Sequence, residues 1–173
     1  MLETIVIALL LLVPIFIVIA ILKIANRKRR KKAQGKILNS ISEATKQTGI
    51  TDHYQKQLIH QTVIIDEKNR KLLIIDHHNV PSSFSVYPLG AISSVEVIND
   101  KHSFLINGKG EKHERITMKI GIELTFEKAG EVKFLILYDY LEHNIYQMAD
   151  LEKEAHQLQD TIKKAINGQP INK

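Results

Sequence analysis

Ile116-Thr117-Met118-Lys119-Ile120-Gly121-Ile122-Glu123-Leu124-Thr125-Phe126 is the stretch whose reading sets the fold class of this chain. Ile116, Met118, Ile120, Ile122, Leu124 and Phe126 alternate with Thr117, Lys119, Gly121, Glu123 and Thr125. A period of two over that length places one face of a strand on a core and the other in water. Downstream, Lys128-Ala129-Gly130 reads as a turn into a further strand from Val132 to Tyr138. Upstream, β-branched and apolar runs predict strands at Leu58 to Ile65, Lys71 to Ile75, Ser82 to Tyr87, Ala91 to Ile98 and Ser103 to Ile106. Asp66-Glu67-Lys68-Asn69-Arg70 is the tip of the first hairpin, and Asn107-Gly108 closes the fifth strand. Seven short strands therefore fill residues 58 to 138.

Beyond Tyr138 the period changes to that of a helix. Leu141, Ile145, Met148, Ala155, Leu158, Ile162 and Ile166 recur mostly three and four apart, which predicts one long helix laying a single stripe on the sheet. Asp139 with Glu142 reads as its capping pair, and Lys163, Lys164, Gly168 and Pro170 mark its end. Before the strands, Lys36 to Thr48 carries Ile37, Leu38, Ile41 and Ala44 at helical spacing, with Gly49 as the C-cap. This short amphipathic helix fits either a stripe on a membrane surface or a spacer packed on the domain.

The N-terminus has a different character. No charged side chain occurs from Thr4 to Leu22, and at about 1.5 Å per residue such a run spans the roughly 30 Å hydrocarbon core of a bilayer. Lys23 and the unbroken run Arg27-Lys28-Arg29-Arg30-Lys31-Lys32 follow it, whereas only Glu3 precedes it. This asymmetry predicts an uncleaved single-pass anchor in the inner (cytoplasmic) membrane, N-terminus out and body cytoplasmic. A cleaved signal peptide fits poorly, since the n-region is acidic, the apolar core is too long and no A-x-A site follows. The expected organisation is an anchor over 1–25, a polybasic linker over 26–35, the amphipathic helix over 36–49 and an α+β, mainly β, domain over 50–168.

The net charge of +5 over 173 residues is unevenly spread. Residues 1–32 hold seven basic and one acidic side chain, leaving 17 basic and 18 acidic in the body. The basic character thus belongs to the juxtamembrane run, and the body lacks the charge of a nucleic-acid-binding domain. Absence of cysteine excludes disulfide and thiolate chemistry and suits a reducing compartment.

Three sequence features carry a resemblance. They are Val63-Ile64-Ile65-Asp66 with its Asp-Glu-Lys-Asn-Arg turn, the Leu89-Gly90-Ala91-Ile92-Ser93-Ser94-Val95 approach to the fourth strand, and the closing helix. Together this order resembles the pleckstrin-homology-like domain, over about residues 57 to 167. The whole chain is also similar to uncharacterised small bacterial single-pass membrane proteins with a lysine-rich stop and such a body. The resemblance implies a seven-stranded open barrel or sandwich capped by the C-terminal helix. Lipid-binding members carry K-x(n)-[KR]-x-R across the first two strands. Lys68, Arg70 and Lys71 stand at the matching tip, but Asp66 and Glu67 precede them and the strand before has no Lys or Arg.

Enzyme signatures are missing. The eight histidines, His53, His60, His77, His78, His102, His113, His143 and His156, show no zinc-ligand spacing, and adjacent His77 and His78 point to opposite strand faces. No G-x-S-x-G occurs, and Gly108-Lys109-Gly110 lacks the following helix of a phosphate loop. Tyr138, Tyr140 and Tyr146 read as packing residues. No cofactor, metal or nucleic acid is expected. The functional expectation is a membrane-tethered, cytoplasmic, non-enzymatic module that binds a protein or peptide at the inner membrane face. Lys23, Arg27, Lys28, Arg29, Arg30, Lys31 and Lys32 would contact the membrane surface. The alternative is an anionic-lipid-responsive module using the polybasic run with Lys68, Arg70 and Lys71.

Overall fold

The structure, a computed structural model, describes residues 23, 27, 34–50, 53–78, 82–106, 112–127 and 130–171. Among them no helix is long and apolar enough to cross a membrane. The Thr4 to Leu22 run lies outside the described residues, as do Lys28 to Lys32 and Gly108-Lys109-Gly110. The chain divides into two compact units, Met1–Ser42 and Glu43–Lys173.

Helix α1 covers residues 34–48, close to the expected span. It ends on Gly49 at φ 71, a left-handed conformation that costs glycine nothing and closes the last turn. The second unit is α+β and mainly β. Strands β1 (Tyr54–Gln57), β2 (Gln61–Asp66), β3 (Lys71–Asp76) and β4 (Ser83–Pro88) form one antiparallel sheet in that order. Strands β5 (Ile92–Ile106), β6 (Lys112–Phe126) and β7 (Val132–Asp139) form a second, and helix α2 (Met148–Ile166) follows.

Among the described residues the strands number seven, but two boundaries differ from expectation. The run from Leu58 to Ile65 is not one strand. Leu58 N–H donates to Gln61 O at 2.8 Å across a turn, leaving β1 before it and β2 after it. Tyr54-Gln55-Lys56-Gln57 has no apolar alternation, so its strand character comes from pairing Tyr54 with Ile65 and Gln57 with Thr62. Conversely, the fourth and fifth expected strands are one strand of 15 residues. Its polar middle continues the ladder because a register shift at Asp100/Lys101 leaves Met118 of β6 as the extra residue.

Strands β2 and β3 are buried on both faces, and each face is closed differently. On the inner face Val63 pairs with Ile74 and Ile65 with Leu72. These join Val95, Ile120, Ile122, Leu124, Phe126, Leu135 and the α2 residues Ala155, Leu158, Ile162 and Ala165 in one core. At about 1.5–3 kcal/mol per fully buried Leu or Ile, this cluster is the main source of stability. On the outer face Ile64, Leu73 and Ile75 are also buried, yet none belongs to that core. The cover comes from the segment before β1. Ala44 and Ile50 are buried, and Lys71 Nζ donates to Thr48 O at 3.4 Å, bringing the end of α1 to β3. The end of α1 is therefore a piece of the domain rather than a membrane-facing stripe.

The helix start also differs. Asp139 and Glu142 do not begin a helix. Asp139 Oδ1 accepts from Leu141 N and Asp139 O from His143 N, both at 2.9 Å, which makes a separate turn. A 3-10 turn at Ile145–Gln147 then precedes α2, capped by Asn144. Leu141 and Ile145, expected on the buried stripe, are consequently exposed.

Candidate functional site

The first hairpin tip is built as a structural joint. Asp66 is fully buried, and its carboxylate accepts from Asn69 N at 2.9 Å and Asn69 Nδ2 at 2.7 Å. This holds the turn in which Arg70 takes φ 50, unusual for a residue with a side chain. Arg70 Nη2 donates to Ile166 O at 2.7 Å, and Ile171 N donates to Glu67 Oε1 at 2.7 Å. Lys71 reaches Thr48 O, as described above. Two of the three tip cations therefore satisfy carbonyls at helix C-termini, where the macrodipole is negative. Lys68 is exposed at the same tip. Lys23 and Arg27 are helical and exposed.

Two histidines meet, the His60 and His78 rings packing edge to face with centroids 5.3 Å apart. His102 lies 3.7 Å from Asp100, and His156 is exposed on α2. Among the described residues no three His, Asp or Glu side chains gather as a metal centre requires. His77 Nε2 lies 2.8 Å from the buried Thr62 hydroxyl and Nδ1 lies 3.3 Å from Ser82 Oγ. Burial lowers its pKa below the ordinary 6.5, against a smaller opposing pull from Asp76. Below pH 6.5 the unfolded chain therefore binds a proton that the native chain resists, so stability falls on acidification until the native imidazole also titrates. Denaturation midpoints at pH 7.5 and 5.5 are expected to drop more for the wild type than for His77→Asn. Equal drops would contradict this.

The segment between β7 and α2 has the properties of a recognition surface. Tyr140, Leu141, Ile145 and Tyr146 are 43%, 83%, 56% and 87% exposed, four large apolar side chains within seven consecutive residues. Exposure on that scale usually marks a mobile loop or a contact surface. Here the backbone is braced throughout. Tyr140 N donates to Met118 O at 2.9 Å, Asp139 N to His143 Nδ1 at 3.2 Å and Tyr146 N to Asn144 Oδ1 at 3.2 Å. Asn144 N donates in return to Gln147 Oε1 at 3.1 Å, completing a capping box. The His143 ring stacks on buried Tyr138 with centroids 5.7 Å apart, and His60 Nε2 bonds Glu142 Oε1 at 2.9 Å. A cleft of about 210 Å³ lined by Leu58, Leu137, Glu142, His143 and Leu151 adjoins the segment.

Apolar spacing places Leu141 and Ile145 on the helix stripe, and the clustering of Tyr140 and Tyr146 near the helix start reads as packing; the structure exposes all four. The overlooked signal is Asn144 with Gln147, a capping pair three residues apart that starts the helical turns later than Asp139 with Glu142 would. Comparison with known protein families, with curated proteins and with solved structures returns no match for this chain.

Proposed function

We propose that this chain is a membrane-tethered, non-enzymatic module of pleckstrin-homology-like architecture that recognises a protein at the inner membrane face through its 140–146 segment. The supporting observation is the exposure of Tyr140, Leu141, Ile145 and Tyr146 on a backbone held by capping and turn bonds. A rigid aromatic and aliphatic patch loses little entropy on binding, and such side chains are typical anchors of protein interfaces. The order of four strands, three strands and one helix is consistent with the pleckstrin-homology-like reading. The Thr4 to Leu22 run and the basic residues after it support the tether and its orientation.

Shallow insertion of the patch into lipid competes with a protein partner. Five acids, Asp139, Glu142, Asp150, Glu152 and Glu154, stand against Lys153 in the segment and against Lys56 and Lys119, which pair with Glu154 and Asp139 from other strands, so the local charge stays negative. That balance opposes an anionic bilayer surface and favours a protein segment with apolar anchors. Engagement of Arg70 and Lys71 by helix carbonyls weighs against a headgroup site at the hairpin tip.

The test places a photo-crosslinking phenylalanine analogue at position 146 of the full chain in its native membranes. A discrete protein adduct is expected. Leu141→Asp with Ile145→Asp should reduce it about tenfold or more, since anchor side chains contribute about 2 kcal/mol or more each. Adducts to lipid alone, or protein adducts indifferent to both changes, would reject the reading.

A further inference from the structure

We propose that β4 is a self-association edge through which two copies of this chain join their four-stranded sheets. An edge strand leaves a row of backbone donors and acceptors without a ladder partner, and proteins blunt such edges with charges. Among the described residues four strands are edges, namely β1, β4, β5 and β7. Lys56 lies in β1, Glu96, Asp100 and Lys101 in β5, and Lys133 and Asp139 in β7. Ser83-Phe84-Ser85-Val86-Tyr87-Pro88 has no charge at all, in a chain of which 25% is charged. Residues 83–86 are all exposed, including Phe84 at 39% and Val86 at 37%.

The pattern selects a second copy as the occupant. Phe84 pairs with Ile75 and Val86 with Leu73, so both extend the outer apolar face of the sheet to its edge. A two-fold axis at Ser85 sets Phe84 opposite Val86 of the second copy, Val86 opposite Phe84, and Ser83 opposite Tyr87. An apolar row then runs from Ile64 through Leu73 and Val86 to Phe84 and Ile75 of the second copy, its symmetry mate runs the other way, and no like charges meet. A slip by one residue, depending on its direction, would oppose Phe84 or Val86 to Ser85 and turn the apolar row to the wrong face. A slip by two toward the C-terminus would spend a pairing position on Pro88, which has no N–H. Tyr87 does not interfere. Its ring stacks on Phe126 at 4.3 Å and its hydroxyl donates to Glu131 at 3.1 Å, which holds it on the inner side.

The chain has no cysteine, so one introduced thiol reports one contact. The full-length Ser85→Cys protein, in detergent micelles under mild oxidation, should form a disulfide-linked species of twice 19.7 kDa. Residues directly opposite in an antiparallel pair lie about 4.5–5.5 Å apart at Cα, within disulfide range. Gln55→Cys, exposed on the opposite edge of the same sheet, should remain unlinked. Ser85→Glu sets two carboxylates across the axis and is expected to weaken self-association at least tenfold by sedimentation, with an unchanged circular dichroism spectrum. The proposal is overturned by a wild type that stays monomeric at all concentrations. It is equally overturned by Ser85→Cys linking no faster than Gln55→Cys, or by association that Ser85→Glu leaves intact.

Discussion

Replacing Gly121 with alanine is expected to cost about 3 kcal/mol, and valine more, because the position has no room for a Cβ. A Cβ there would collide with the Leu135 carbonyl oxygen and lie 2.8 Å from a Phe134 ring carbon. The carbonyl cannot retreat freely, since Ile122 pairs with Leu135 and Gly121 with Ile136. That pairing follows a register shift after Ile120, where Leu137 is the inserted residue and the strands twist together. Gly90 supplies the control. Nothing lies within 4 Å of a Cβ built there, so Gly90→Ala should change stability by less than about 0.5 kcal/mol. Denaturation midpoints of the full chain in mild detergent measure both. Equal stability of the two variants would refute the close approach of β7 to Gly121.

Leu73→Ala is expected to destabilise the protein by about 2–5 kcal/mol, the range for truncating a sealed core leucine. Leu73 lies outside the main core, on the outer face of the first sheet, yet it is fully buried. Its loss should therefore be felt by the segment that covers that face. Hydrogen exchange at residues 43–48 is expected to accelerate in Leu73→Ala and not in Leu135→Ala at equal destabilisation. Val86→Ala, on the same row but partly exposed, should cost less than about 1 kcal/mol. A cost below 1 kcal/mol for Leu73→Ala would mean that the outer face is open.

Gly121 and Leu73 show where the linear pattern stops being informative. In the sequence Gly121 stands on the polar phase between Lys119 and Glu123, which suggests a solvent-facing position. Its burial comes from the neighbouring strand β7, whose Leu135 carbonyl and Phe134 ring lie close against it, a contact between residues at least 13 apart in sequence. Val63-Ile64-Ile65 and Leu72-Leu73-Ile74-Ile75 are continuous apolar runs, so their composition announces burial on both faces. It does not announce that one face belongs to the α2 core and the other to the end of α1. The candidate site was obscured for a related reason. Leu141 and Ile145 keep helical spacing to Met148, but the Asp139 turn and the Asn144 cap break the helix between them. Apolar spacing counts residues and cannot register a break in backbone phase.

Sequence alone determined the elements whose signals are local. The alternation from Ile116 to Phe126 appears as buried Ile120, Ile122, Leu124 and Phe126 in β6. The three-and-four spacing from Ala155 appears as the buried stripe of α2, and Gly49 and Gly168 end their helices at φ 71 and φ 70. The order of strands followed by a single helix was legible for the same reason, because hydrophobic period and turn chemistry are written in neighbouring residues. Tertiary structure decided the existence of β1, the fusion of β5, the C-terminal carbonyls assigned to Arg70 and Lys71, and the exposure of the 140–146 segment. Each of these rests on a partner distant in the chain, a ladder neighbour or a helix end. A side chain's own identity fixes what it can bond or bury, and only the fold determines which partner it meets.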